Sequence, residues 1–105
     1  MVRHRFHALI ALGRFNDALR WAQDMSGVAK KKGWSQYRVM TPGTGPVNSF
    51  ILEAEYSDYA TFHKESDAFL SDAEAMTVFR RGTELLAPGA HPWDELEEEA
   101  PTQIA

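Results

Sequence analysis

Val47–Tyr56, reading Val-Asn-Ser-Phe-Ile-Leu-Glu-Ala-Glu-Tyr, limits the fold of this chain more than any other stretch. It follows Pro42-Gly43-Thr44-Gly45-Pro46 and ends at Ser57-Asp58, where a helical pattern begins. Phe50, Leu52, Ala54 and Tyr56 share one parity. Ser49, Ile51, Glu53 and Glu55 share the other. Successive strand side chains point to opposite faces, so this strand carries one apolar face and one mixed face with two carboxylates. The apolar face is expected to hold helices. The mixed face is expected to look into a cavity.

The rest of the chain supplies partners for such a strand. Val2–Leu12 alternates, with Val2, His4, Phe6, Ala8, Ile10 and Leu12 on one side and Arg3, Arg5, His7, Leu9 and Ala11 on the other. From Phe15 the period becomes helical through Ala18, Leu19, Ala22, Met25 and Ala29. Asn16 or Asp17 lies near the helix start, Lys30-Lys31-Lys32 at its end, and Gly33 marks the stop; Gly27 predicts a bend or fraying. Trp34–Thr41 reads as a short strand forming a hairpin with Val47–Tyr56. If Met40 pairs with Asn48, Tyr37 lies across from Ile51 and shares its face. Ser57 and Asp58 are helix caps, and two abutting helices are predicted over Tyr59–Leu70 and Asp72–Leu86. Ser71 and Glu74 form a capping box between them. Ala90–Glu99 reads either as a final edge strand or as an acidic tail fraying from Glu97.

The 105 residues make one domain: residues 1–93 are its body, and 94–105 are an acidic C-terminal edge strand or tail. The formal net charge is −4, but Asp94, Glu95, Glu97, Glu98 and Glu99 contribute five negatives, and removing them leaves +1. A near-neutral body without a basic stripe argues against nucleic acid as a partner. No apolar run has membrane-spanning length, and Ala8–Leu12 is too short and strand-like for a signal peptide. The chain has no cysteine, which excludes thiolate chemistry. A cytoplasmic location without a membrane partner is the expectation.

The order strand, helix, strand, strand, helix, strand is that of an α+β, ferredoxin-like βαββαβ plait: a four-stranded antiparallel sheet, helices on one face, first and third strands central. Its details lie in Arg3-His4-Arg5-Phe6-His7-Ala8-Leu9, Gly13-Arg14-Phe15, Gly33-Trp34, Glu53-Ala54-Glu55-Tyr56-Ser57-Asp58-Tyr59, Phe69-Leu70-Ser71-Asp72-Ala73-Glu74-Ala75 and Phe79-Arg80-Arg81. Over roughly residues 2–87 the chain resembles the dimeric α/β-barrel superfamily, and within it NIPSNAP-like proteins and antibiotic-biosynthesis-type monooxygenases. That resemblance implies a homodimer through the sheet face opposite the helices, with a ligand cavity between the two sheets. It also implies a range of roles: cofactor-free oxygenases of polyketide-type substrates, haem-degrading enzymes, isomerases, and proteins without assigned activity. The asparagine, tryptophan and histidine set of the haem-degrading type has no matching positions here.

In the plait, Arg3, Arg5 and His7 share a face with Glu53 and Glu55. They read either as ion pairs lining a dimer contact or as a polar cluster at a cavity mouth. In the second case His7 is the proton handler and Glu53 orients it or acts as base, so these two are the catalytic candidates. Arg5, Tyr37, Ile51 and Glu55 are the ligand-binding candidates. Tyr37 reads more readily as packing, Trp34 as covering a cavity rim or closing the core, and Trp21 as a core edge or dimer contact. His63 has no second metal ligand at helical spacing, His4 and His7 are not at a metal-specific spacing, and His91 reads as solvated. No metal and no cofactor are expected. The leading expectation is a small dimeric barrel protein holding a small apolar or aromatic molecule. The alternatives are a cofactor-independent monooxygenase (or isomerase) acting on a phenolic substrate, and a structural module without a ligand.

Overall fold

A computed structural model describes residues 1–102 of the chain; residues 103–105, the last of the predicted acidic segment, lie outside the described residues. The elements are β1 (Val2–Leu9), α1 (Phe15–Lys32), β2 (Arg38–Met40), β3 (Ser49–Tyr56), α2 (Tyr59–Leu70), α3 (Ala73–Arg81) and β4 (Trp93–Glu98), with a 3-10 turn at Gly82–Leu85 after α3. They form an α+β ferredoxin-like arrangement, one antiparallel sheet in the order β2-β3-β1-β4 with β1 and β3 central. No helix among the described residues is long and apolar enough to cross a membrane.

The period-2 pattern of β3 works as anticipated. Phe50, Leu52, Ala54 and Tyr56 are 0%, 5%, 3% and 7% exposed, so this face is buried beneath the helices. In-register pairing of Phe6 with Leu52 and Ala8 with Phe50 extends the same face across β1. Full burial of a ring such as that of Phe50 contributes roughly 1.5–3 kcal/mol. Trp21 belongs to this core. It donates from Nε1 to the Val78 carbonyl at 2.9 Å, against the dimer-contact alternative.

Helix ends follow local chemistry with two corrections. Gly33 takes the left-handed conformation at the end of α1 (φ 75°), where an L side chain would be strained, and its N–H bonds back into the last turn. Asp58 accepts from the Thr61 N–H at 2.7 Å and caps α2. The start of α3 is capped by Asp72, which accepts from Ala75 N–H at 2.9 Å, and not by the predicted Ser71–Glu74 box; a carboxylate one residue nearer the helix takes the same role. The predicted interruption at Gly27 is absent: α1 runs unbroken through it, since neighbouring turns hold the backbone.

The third correction concerns register. Met40 pairs with Ile51, not Asn48. Asn48 instead serves β1, accepting from Ile10 N–H at 2.9 Å and donating its side-chain amide to the Ile10 carbonyl at 2.9 Å. The hairpin loop therefore absorbs Asn48 and slides β2 by three residues. An odd slide exchanges the two faces, so Tyr37 lies on the helix side. The Trp93–Glu98 segment is a strand, paired with β1 from His7↔Trp93 to Val2↔Glu98.

Candidate functional site

The two faces of the sheet carry different chemistry. On the open face, Glu53 sits beneath a roof of arginines. Its carboxylate accepts from Arg5 Nε at 3.0 Å and from the Arg38 guanidinium, and Arg3 Nε lies 3.8 Å away. The alternation of β1, β2 and β3 dictates this cluster, because Arg5 and Arg38 both pair with Glu53. Hydrogen bonds from Arg38, then Arg5, hold the Glu53 carboxyl below its ordinary value, against the opposing effect of desolvation. Glu55 meets Arg38 at 3.3 Å and Arg3 at 3.6 Å, while Arg5 also bonds Glu97 of β4 at 2.8 Å. His7 stacks on Trp93, ring centres 4.8 Å apart and 4° from parallel, and its Nε2 contacts Glu95.

Of the predicted site residues, Arg5, His7, Ile51, Glu53 and Glu55 thus share one face. His7 and Glu53, however, are not joined: Glu95 takes the imidazole and the arginines take the carboxylate. Tyr37 is absent from this set for the register reason given above. A carboxylate already engaged by two guanidinium groups is a poor general base.

A cavity lies on the opposite side. It occupies about 290 Å3 between the sheet, α1 and α2. This space within one chain is bounded by the apolar face, whereas the expected cavity on the mixed face requires a second sheet. Phe6 and Leu52 form its floor, Met25 and Val28 of α1 one wall, and Phe62 and Phe69 of α2 another. Trp34 stands at its side with its ring edge-on to Phe69 (6.1 Å, 69°).

One polar device interrupts this apolar lining. Asp94 Oδ1 lies 2.8 Å from His4 Nε2, His4 Nδ1 lies 2.6 Å from the Tyr37 hydroxyl, and that hydroxyl lies 3.0 Å from the Tyr56 hydroxyl. Four strands contribute one residue each or the residue just before: β4, β1, the approach to β2, and β3. Burial pushes the Tyr37 phenol well above its ordinary value, so it remains protonated, and burial likewise raises Tyr56. Elsewhere in the lining Glu65 accepts from the Ser35 N–H at 2.5 Å and from its hydroxyl at 2.8 Å. The arrangement can orient a polar group of a small apolar guest and can pass a proton along a defined line.

Sequence reasoning overlooked His4, Asp94 and Tyr56 as a set. The signal was present: His4 and Tyr56 each stand on the apolar parity of a central strand, and a buried polar tip there requires a partner. The identity of that partner depends on the β2 register and on β4 being a strand.

No protein-family model matches the chain, and no curated protein sequence matches it. Solved structures do. The chain is similar to an uncharacterized NIPSNAP domain protein from Burkholderia xenovorans, with a TM-score of 0.77, 19% identity and 100% of both chains covered. A NIPSNAP family protein with unknown function from Agrobacterium tumefaciens gives a TM-score of 0.75 at 12% identity, over 98% of this chain and 91% of that one. An antibiotic biosynthesis monooxygenase gives 0.72 at 12% identity, over 96% of this chain and 100% of that one. At such identities the likeness establishes the shared ferredoxin-like fold.

Proposed function

We propose that this chain is a binding protein for a small apolar or aromatic molecule, held in the cavity between sheet and helices and oriented by the Tyr37–Tyr56 hydroxyl pair. The observation that carries the proposal is the Asp94–His4–Tyr37–Tyr56 line of hydrogen bonds in the wall of an otherwise apolar cavity. Apolar walls favour an apolar guest by removing its surface from water, and a few convergent polar groups fix its orientation. Calorimetric titration with naphthols, anthrones, quinols and haem tests it. Saturable binding of a two- or three-ring aromatic is expected, abolished by Ser66→Trp, which fills the cavity from α2. Failure of the whole panel would leave a structural module without a ligand.

A second reading, a cofactor-independent monooxygenase, is favoured by the His4–Asp94 pair at the cavity and by the fold shared with a protein of that name. Tyr37 would pass its proton to His4 while taking one from an activated methylene of the substrate. The resulting carbanion would add dioxygen as a hydroperoxide, and loss of water would leave a carbonyl. Oxygen uptake with an anthrone, lost in His4→Ala, is the expected result; no uptake leaves binding alone.

The open sheet face is proposed as the homodimer contact. Arg5, His7, Ile51, Glu53 and Glu55 would then serve the seam between subunits, and the ion pairs described above would be further desolvated by the partner. A face carrying both signs of charge, as an isologous contact of identical patches requires, supports this reading.

A further inference from the structure

We infer that Asp94, on the edge strand, sets the direction of the hydrogen bonds in the cavity wall, so that the cavity takes molecules presenting a hydrogen-bond donor, a hydroxyl or N–H, to the Tyr37–Tyr56 pair. The inference deepens the cavity reading and rests on it.

The argument is one of proton counting. A carboxylate offers only acceptors, so the 2.8 Å contact between Asp94 Oδ1 and His4 Nε2 places the proton on Nε2. A neutral imidazole then has a bare Nδ1, and the Tyr37 hydroxyl 2.6 Å away must donate to it. Tyr37 has one proton. Its oxygen can therefore only accept from Tyr56, 3.0 Å away, which commits the single proton of Tyr56 as well. Every proton in the line points toward Asp94, and the two phenol oxygens keep only lone pairs for a guest. Burial holds the Tyr37 proton in place by raising its pKa.

A hydroxyl or N–H of a guest meets a matching acceptor. An ether or carbonyl meets lone pairs, and its own acceptor is buried unpaired, which is the larger cost. Asp94 acts through His4 and is a positioning residue. Its carboxylate is well exposed, with 63% of the side chain accessible, so its replacement tests direction and not folding. In Asp94→Asn the amide can donate to Nε2. His4 then carries its proton on Nδ1, Tyr37 donates to Tyr56, and Tyr56 donates into the cavity.

The test compares β-naphthol with its methyl ether, which differ in the donor, by calorimetry on the full chain, together with 15N NMR of the His4 ring near neutral pH. The wild-type chain is expected to show the Nε2–H tautomer and to bind the naphthol at least about tenfold more tightly. Asp94→Asn is expected to shift the His4 tautomer and to bring that preference below about threefold or reverse it. Equal binding of the two by the wild-type chain, an unchanged preference in Asp94→Asn, or a wild-type His4 protonated on Nδ1 overturns the inference while the cavity reading stands. Absence of binding for both ligands overturns the cavity reading and the inference with it.

Discussion

Gly82 shows how a single missing side chain supports the core. A Cβ there would lie 2.7 Å from two ring carbons of Trp21, whose indole is already tethered to the Val78 carbonyl. Its φ is ordinary (−63°), so space and not backbone strain requires the glycine. Gly82→Ala is expected to lower stability by roughly 1–3 kcal/mol through overpacking, measured by urea unfolding. Glu53 links residue chemistry to pH. Its folded-state pKa is depressed below 4.5, first by Arg38 and then by Arg5. A depressed carboxylate contributes stability that is present above its unfolded value and lost as pH falls through the folded one. Urea midpoints should therefore fall on acidification below pH 4.5, and fall less steeply in Glu53→Gln. Asp58 and Asp72 are depressed in the same direction by backbone hydrogen bonds and account for part of the slope that remains.

Helix α3 owes its start to Asp72 rather than to its neighbour. The Asp72 carboxylate both accepts from Ala75 N–H and meets Lys32 Nζ at 3.0 Å, joining the starts and ends of two helices that pack on one sheet face. Asp72→Ala should lower the thermal midpoint, Asp72→Asn should retain most of the cap, and Ser71→Ala should be silent. A drop in Ser71→Ala equal to that in Asp72→Ala would restore the capping-box assignment. Every residue of strand β4 is exposed, yet the strand supplies the acids that meet β1: Asp94 to His4, Glu95 to His7 and Glu97 to Arg5. Acidic side chains also blunt an exposed edge against pairing with other chains.

For the whole molecule, the two sheet faces divide the labour. The helix face bounds the cavity, and the open face offers a charged surface with Ile51, Met40 and Trp93 among the charges. Sedimentation equilibrium should give a dimer at micromolar concentration, and Ile51→Lys should shift it to monomer without loss of helical signal. A wild-type monomer under those conditions would remove the barrel from the proposal. Alkaline pH acts on the other face. The raised pKa of Tyr37, caused mainly by burial, contributes stability fully present below the ordinary value of 10.0 and lost as pH rises toward the folded value. Alkaline unfolding above pH 10.0 should be shallower in Tyr37→Phe.

Much of this was legible in the sequence because it depends on neighbours a few residues apart. The period-2 runs of β1 and β3, the 3.6-residue period of α1, the exit at Gly33 and the cap at Asp58 follow from local geometry, and their order suffices for the plait. That Arg3, Arg5 and His7 share a face with Glu53 and Glu55 follows in turn from two central strands with clear parity. The site was not legible to the same degree. Whether Tyr37 faces helices or solvent depends on a hairpin register that the Pro42–Pro46 loop leaves free, and a three-residue slide moves it to the other side of the sheet. Asp94 reads as one acid in an acidic run until β4 pairs with β1 and sets it beside His4, ninety positions away in the chain. Periodicity assigns a side chain to a face. Which face closes on a cavity, and which distant side chains meet there, depends on long-range pairing, where small differences in loop conformation and packing decide among registers of similar local energy.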